Sequence, residues 1–261
     1  PGAAAEAQPP FAAGDTIRAV NGEAVDSYAK LIAALARTPS EPVSLTVQRS
    51  VDTTDARSDL EIVLPPQPRR TLGIVMNAGA VQAVQAGSPA AAAGFRPGDR
   101  LVSFNGQPIE DVLALDAQLR HAVGEPVNIE VARDGAEPAT LAVVPREVTW
   151  IEEPRWPASP VAISALGLAV AVETTIAAVE TGSPAEAAGV KPGEKVIRAR
   201  FIEPGEAANP EDAGLELSER SPSWPYCVAV LQQVAPGTRV QLVIEGADGL
   251  ARDVELDPAA E

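Results

Sequence analysis

Serines in repeated positions, one histidine and one cysteine are the residues in this chain that could do covalent or metal chemistry. Ser88 and Ser183 each stand directly before a proline, Pro89 and Pro184. A serine nucleophile needs a base within hydrogen-bond reach, itself held by a third group. The only histidine is His121, and no histidine recurs beside the two serines. The Ser-Pro pairs read instead as helix starts, with serine as N-cap and proline at the first helical position. His121 falls at the end of a helical pattern, where a basic group suits the helix C-terminus. One His and one Cys exclude a His/Cys zinc centre, which takes three or four such ligands. A single Cys also excludes an internal disulfide. Cys227 lies on an apolar helical stripe and reads as a small buried hydrophobe rather than a reactive thiol.

Composition narrows the classes further. With 46% hydrophobic residues and 21% charged among 261, the chain can build packed cores. Aromatics are only 3%, so those cores must be aliphatic. Acids outnumber bases 36 to 20, for a formal charge of -16. That balance argues against a phosphate-backbone binder and against docking on an anionic lipid surface. No stretch approaches the roughly 20 continuous apolar residues of a membrane span. A chain that opens at Pro1-Gly2 without a methionine reads as an excised segment, so the lack of a leader says little about its parent.

The elements that would position any site come in three copies. The clearest copy is Gly87 to Gly106, GSPAAAAGFRPGDRLVSFNG; a second runs from Thr181 to Phe201 and a weaker one from Pro1 to Gly22. Their Gly-Asp or Gly-Glu pairs are Gly14-Asp15, Gly98-Asp99 and Gly193-Glu194. Each unit is therefore of domain size rather than solenoid-repeat size. In the second and third, a short Ala-rich helix should end at a glycine cap, Gly94 or Gly189, and a Pro-Gly turn should lead into a strand. Asn21-Gly22 and Asn105-Gly106 are hairpin turn signals. A second helix follows, with apolar phases Tyr28, Leu31, Ile32, Leu35; Val112, Leu115, Leu119; and Trp224, Cys227, Val228, Leu231. Asp116 takes the position that Ile32 holds in the first unit. Strands at 43–47, 127–131 and 240–244 close the units, each followed by another near 60–64, 141–144 and 254–256. The third unit lacks the Asn-Gly and carries an acidic excursion over 203–222. Pro-rich linkers are expected at 65–68 and 145–160.

A Leu-Gly-Ile strand opener, then GSPAAAAGFRPGDRLVSFNG, then an amphipathic helix, resembles a bacterial PDZ domain. The resemblance implies an α+β chain of three tandem PDZ-like domains, each a small, partly open β-barrel capped by two helices. The expected boundaries are 1–66 for the first (N-terminally truncated), 67–147 for the second and 160–258 for the third, with its insertion at 203–222. PDZ domains bind extended peptides, usually free C-termini, by adding a strand to a sheet edge. The terminal carboxylate is held by backbone N–H groups of an x-Φ-G-Φ loop, matched here by Thr71-Leu72-Gly73-Ile74 and by Ala165-Leu166-Gly167-Leu168. The glycine lets successive amides converge on an anion. A side chain at Gly73 is thus expected to obstruct binding more than folding. The second helix would form the other groove wall, offering Val112 and Asp116 in the second unit and Trp224 and Val228 in the third. Trp224 would either stack on a ligand or pack in the core. Asp116 would either face the groove and disfavour apolar ligand side chains, or be merely solvated. Arg70 would either assist anion binding or belong to a solvated linker pair with Arg69.

The tandem array also resembles the extracytoplasmic PDZ region of bacterial site-2-type intramembrane zinc metalloproteases. That family carries an H-E-x-x-H motif in its membrane segments, which is absent here. The resemblance implies a non-catalytic insert without a cofactor of its own, with zinc in the catalytic part of the parent. The insert would lie on the periplasmic face, tethered to the inner membrane through that parent. Its partners would be peptide or protein C-termini of membrane or periplasmic substrates, not nucleic acid. Its role would be to filter or sense substrates for regulated intramembrane proteolysis. The rivals are the PDZ array of a Deg-type periplasmic serine protease and a free-standing periplasmic interaction scaffold.

Overall fold

The computed structural model describes residues 3–35, 41–50, 57–66, 68–148, 152, 154–207 and 213–260. Parts of the expected linkers and of the acidic excursion (67, 149–151, 153 and 208–212) lie outside the described residues. One compact unit is built from the N-terminal residues up to Arg69, the other from Arg70 to Val148 and Glu152 to Ala259.

The first unit contains β1 (Thr16–Val20), β2 (Glu23–Ala24), α1 (Tyr28–Leu35), β3 (Val43–Ser50) and β4 (Arg57–Leu64). Its sheet has the order β2-β1-β3-β4. Asn21 and Gly22, both at positive φ, make the tight turn between β1 and β2. Such a turn matches the twist of the strands it joins and favours Asn-Gly. Val20, Val43, Leu45, Val47, Ile62 and Leu64 form an all-aliphatic core.

The second unit begins with β5 (Arg70–Thr71), β6 (Ile74–Val84), α2 (Pro89–Ala93), β7 (Arg100–Phe104), β8 (Gln107–Pro108), α3 (Val112–Arg120), β9 (Val127–Ala132) and β10 (Ala139–Val143). It continues with β11 (Val161–Ile163), β12 (Leu168–Val179), α4 (Pro184–Ala187), β13 (Lys195–Ile202), β14 (Leu215–Glu216), α5 (Trp224–Leu231), β15 (Arg239–Glu245) and β16 (Ala251–Leu256). The structure is thus mostly β, with short helices, and its sheets do not close into a barrel. Ser88 and Ser183 cap α2 and α4, each accepting from a backbone N–H three residues on at 3.2 Å. That use of the hydroxyl is a capping role, as the Ser-Pro context indicates.

The main sheet runs β10-β9-β7-β6-β12-β13-β15-β16. The order is a palindrome, with the second and third repeats contributing mirror-related halves around the β6–β12 pair. These two central strands are long, and each serves both repeats. The start of β6 pairs with the end of β12, Ile74 opposite Val179 and Met76 opposite Ile176. The end of β6 pairs with the start of β12, Val84 opposite Leu168 and Ala83 opposite Ala169. Each repeat therefore lends its opening strand to the other. The local sequence explains why β12 does not fold back on itself. Leu168–Val179 contains no Gly, Pro or Asn, so it has no residue suited to a tight turn. In β6 the single glycine, Gly79, lies tight against β12: a Cβ there would lie 2.8 Å from the Ala171 Cβ. One continuous apolar core spans both repeats, from Leu72 and Leu101 to Leu242 and Leu256.

Candidate functional site

Strand exchange places each x-Φ-G-Φ loop on the body of the other repeat. The carbonyl of Leu72 accepts from Ala185 N–H in α4 at 3.0 Å, and that of Leu166 accepts from Ala90 N–H in α2 at 3.0 Å. Early helical N–H groups have no partner within their own helix, and the exchanged loops supply one. Glu180 N–H donates to Gly73 O and Gln85 N–H to Gly167 O, at 2.9 and 2.8 Å. Both loop glycines have positive φ, +72 for Gly73 and +78 for Gly167. A Cβ on Gly73 would meet the Ser183 side chain, and one on Gly167 the Ser88 side chain. This reverses the expectation for Gly73: a side chain there strikes the body of the fold before it meets any ligand.

The two loops differ in what their amides do. In the first, Gly73 N–H donates to its neighbour's hydroxyl, Thr71 Oγ1, at 2.9 Å. Arg70 does not turn toward these amides. Its guanidinium donates to the carbonyls of Gln232, Val234 and Ala235, just beyond α5. A cation on the last carbonyls of a helix is a favourable C-terminal cap. The Gln232 side-chain amide completes the clasp, accepting from Arg70 N–H and donating to Arg70 O, both at 2.9 Å. Both expectations for Arg70, anion partner or solvated pair, give way to a clasp between the loop and α5.

Beyond this loop, Ile74 to Asn77 pair with β12 on one edge only; among the described residues no strand is paired to the other edge. The wall side chains of α5 are Trp224, only 2% exposed, and the half-buried Val228. The Trp224 ring is therefore core packing, and its indole N–H is buried without a partner among the described residues. Cys227 is also buried, and desolvation pushes its thiol up to about 12.

In the second loop the amides are used up. Leu166 and Gly167 N–H both donate to Ile163 O, at 3.1 and 2.8 Å. Ala165 N–H donates to Asp116 Oδ1 at 3.3 Å. Asp116 is buried and paired with Arg120, whose Nε lies 3.0 Å from Oδ2. It faces the loop and is not a solvated side chain. Val112, Ala165, Leu166 and Leu168 are all buried around it.

An ion pair that sequence reasoning missed recurs in all three repeats, and in the second and third it secures the first helix. Asp15 pairs with Arg49, Asp99 with Arg133 and Glu194 with Arg252. Each carboxylate also accepts the N–H three residues before it, from Ala12, Arg96 and Lys191. Arg133 and Arg252 each donate further to a carbonyl just after the helix, Gly94 O and Gly189 O. The carboxyl of Asp15 is held down to about 2, by its Arg49 hydrogen bond first. Burial pushes the Asp99 carboxyl up, but Arg133 and the Arg96 N–H outweigh it and leave it below the usual range. Arg252 lowers Glu194 in the same way. The 34-residue spacing common to Asp15–Arg49 and Asp99–Arg133 was the available signal.

This arrangement presents sheet edges and backbone amides, and no group of three or more His, Cys, Asp or Glu side chains that could hold a metal ion stands among the described residues. Residues 81–133, from the second half of β6 to the arginine of the Asp99 pair, match the PDZ domain family. This one segment of the chain is thus similar to a PDZ domain. Among curated proteins, it is 41% identical over 68 residues to a Brucella suis biovar 1 protein named "Putative zinc metalloprotease", covering 26% of this chain and 18% of that one. It is 34% identical over 125 residues to the "Probable periplasmic serine endoprotease DegP-like" of Chlamydia trachomatis, covering 42% and 24%. A third relative, "Putative protease Do-like 14" of Arabidopsis thaliana, is 39% identical over 67 residues, covering 26% and 14%. The chain thus spans less than a quarter of the length of each of these relatives. No helix among the described residues is long and apolar enough to cross a membrane.

Proposed function

We propose that this chain is a non-catalytic peptide-recognition or size-filter module regulating substrate access to a membrane-embedded zinc metalloprotease. On this reading the three repeats are three PDZ-like units on the periplasmic face, and zinc belongs to the catalytic part of the parent. The observation that carries peptide recognition is the edge of β6 at Ile74–Asn77. It has no strand paired to it among the described residues, and it follows directly on a loop whose Gly73 amide donates to a threonine hydroxyl. An extended peptide adds to such an edge through main-chain hydrogen bonds, with its carboxylate toward the loop amides. The Brucella relative supports the metalloprotease setting. The longer match to the DegP-like protein supports a second reading, the PDZ array of a periplasmic serine protease.

Calorimetric titration with peptides bearing free or amidated C-termini tests the recognition step. Losing a charge-assisted contact to a carboxylate costs roughly 1.5–3 kcal/mol, so amidation should weaken binding about ten- to a hundred-fold. Equal binding of the two forms would rule out carboxylate capture. The gene sequence on either side of this segment separates the two settings: H-E-x-x-H within apolar spans supports the first, a Ser-His-Asp triad the second.

A further inference from the structure

The second groove of the same body is filled by the chain itself, an inference that rests on reading these grooves as peptide sites. We propose that β11 is an internal pseudo-ligand: Val161–Ile163 fills the slot between β12 and α3, and the Asp116 carboxylate takes the place of a ligand's terminal carboxylate. Three observations carry this.

The first is register. Leu168, Ala169 and Val170 at the start of β12 pair with Val84, Ala83 and Val81 of β6 on one edge. On the other edge they pair with Ile163, Ala162 and Val161. Both edges of β12 are therefore taken here, whereas among the described residues the corresponding start of β6 has one edge paired. β11 runs antiparallel to β12, packs against α3 and ends at the loop, which is the polarity an added C-terminal peptide would have. Val161 and Ile163 are buried, so their side chains fill the slot.

The second is the anion. A buried carboxylate, Asp116, accepts from the loop amide of Ala165, while Leu166 and Gly167 N–H are spent on Ile163 O. No loop amide from 165 to 167 is left for an incoming carboxylate.

The third is the contrast in the chain leading into each loop. The second loop is entered through Ser159-Pro160-Val161-Ala162-Ile163, whose last three residues suit a strand. The first is entered through Pro65-Pro66-Gln67-Pro68-Arg69. Prolines lack the N–H a ladder needs, so that segment cannot close its own groove in the same way. One repeat is built to stay open and the other to close itself.

The test uses the whole chain, labelled with 15N, and the pentapeptide Ser-Pro-Val-Ala-Ile with a free C-terminus as probe. In the wild type, the amides of Leu72–Asn77 should shift and those of Ala165–Val172 should not, with one peptide bound per chain. Val161→Gly/Ala162→Gly, which weakens β11 but keeps the buried Ile163, should gain a second site and new shifts at Leu168–Val172. Should that variant fail to fold, Asp116→Ala leaves β11 in place and frees the Ala165 amide. With β11 still filling the slot, it should bring only the Ala165 amide into the titration at saturating peptide. Wild-type binding at Leu168–Val172 equal to that at Leu72–Asn77 would overturn the proposal. So would a folded β11 variant that gains no site or, failing that, a folded Asp116→Ala whose Ala165 amide does not move. If the wild type binds nothing but the β11 variant binds at Leu168–Val172, the pseudo-ligand stands and the β6 edge is not the working site.

Discussion

Gly73 stands against Ser183 across the exchange: a Cβ built on the glycine would lie 2.0 Å from the serine Cβ. Gly167 repeats the relation with Ser88 at 2.4 Å. The two glycines are the points at which each lent strand passes beneath the helix cap of the other repeat.

Gly73→Ala and Gly167→Ala should each lower stability by roughly 2–5 kcal/mol, combining left-handed backbone strain with overpacking. Gly98 supplies the control. Its φ is +94 and its Cβ position is open, so Gly98→Ala should cost only about 1–2 kcal/mol. Denaturant midpoints check this, and equal losses at Gly73 and Gly98 would contradict the packing argument.

The acid limb of stability should trace to the repeated ion pairs. Asp99 and Glu194 are held below the usual carboxylate range in the folded chain, whereas in the unfolded chain they titrate near ~4. Between those values the unfolded state binds more protons. The contribution is therefore complete above about pH 4 and is lost as pH falls through the folded values. Asp99→Asn should reduce stability at neutral pH and flatten the fall below about pH 4. Thermal unfolding measured across that range reads both effects; an unchanged acid slope would remove Asp99 from the account.

Cys227 should resist alkylation in the native protein. Its thiol is buried and pushed up to about 12 by desolvation, and the thiolate is the reacting form. Modification by iodoacetamide at pH 8 should become fast only when the protein is unfolded in denaturant. Rapid native labelling would mean that α5 opens far more readily than its packing implies.

Much of the fold was legible because its signals are local. Ser88-Pro89 and Ser183-Pro184 form the expected capped helices, and Gly94 caps α2 at φ 87. Asn105-Gly106 turns with both residues at positive φ, and the Asn105 side chain accepts from Asn128 N–H, as Asn21 does from Ser44. The helix stripes at Leu115 and Leu119 and at Cys227 and Leu231 are buried as the period-of-four spacing requires. What escaped is long-range. Nothing in the order of residues 74–84 says that their partner lies at 168–179. The missing turn residue in Leu168–Val179 was the only local trace of it. The partners of Asp116 and Arg70 are set by the exchange: Ala165 comes from the following repeat, and the carbonyls beyond α5 lie more than 160 residues along the chain. The arginine of the third ion pair is displaced as well, standing on β16 rather than at the end of the strand before it.

The exchange also sets a schedule for synthesis. The end of β6 and all of α2, β7, α3, β9 and β10 leave the ribosome before β12 exists, so the second repeat waits with one central strand unpaired. Only when Val179 has emerged can Ile74 find its place. Non-local pairings of this kind slow folding and leave an edge exposed in the meantime. During that interval the strand of a neighbouring nascent chain offers the same sequence and the same register. Two chains made side by side could thus complete each other as readily as one chain completes itself.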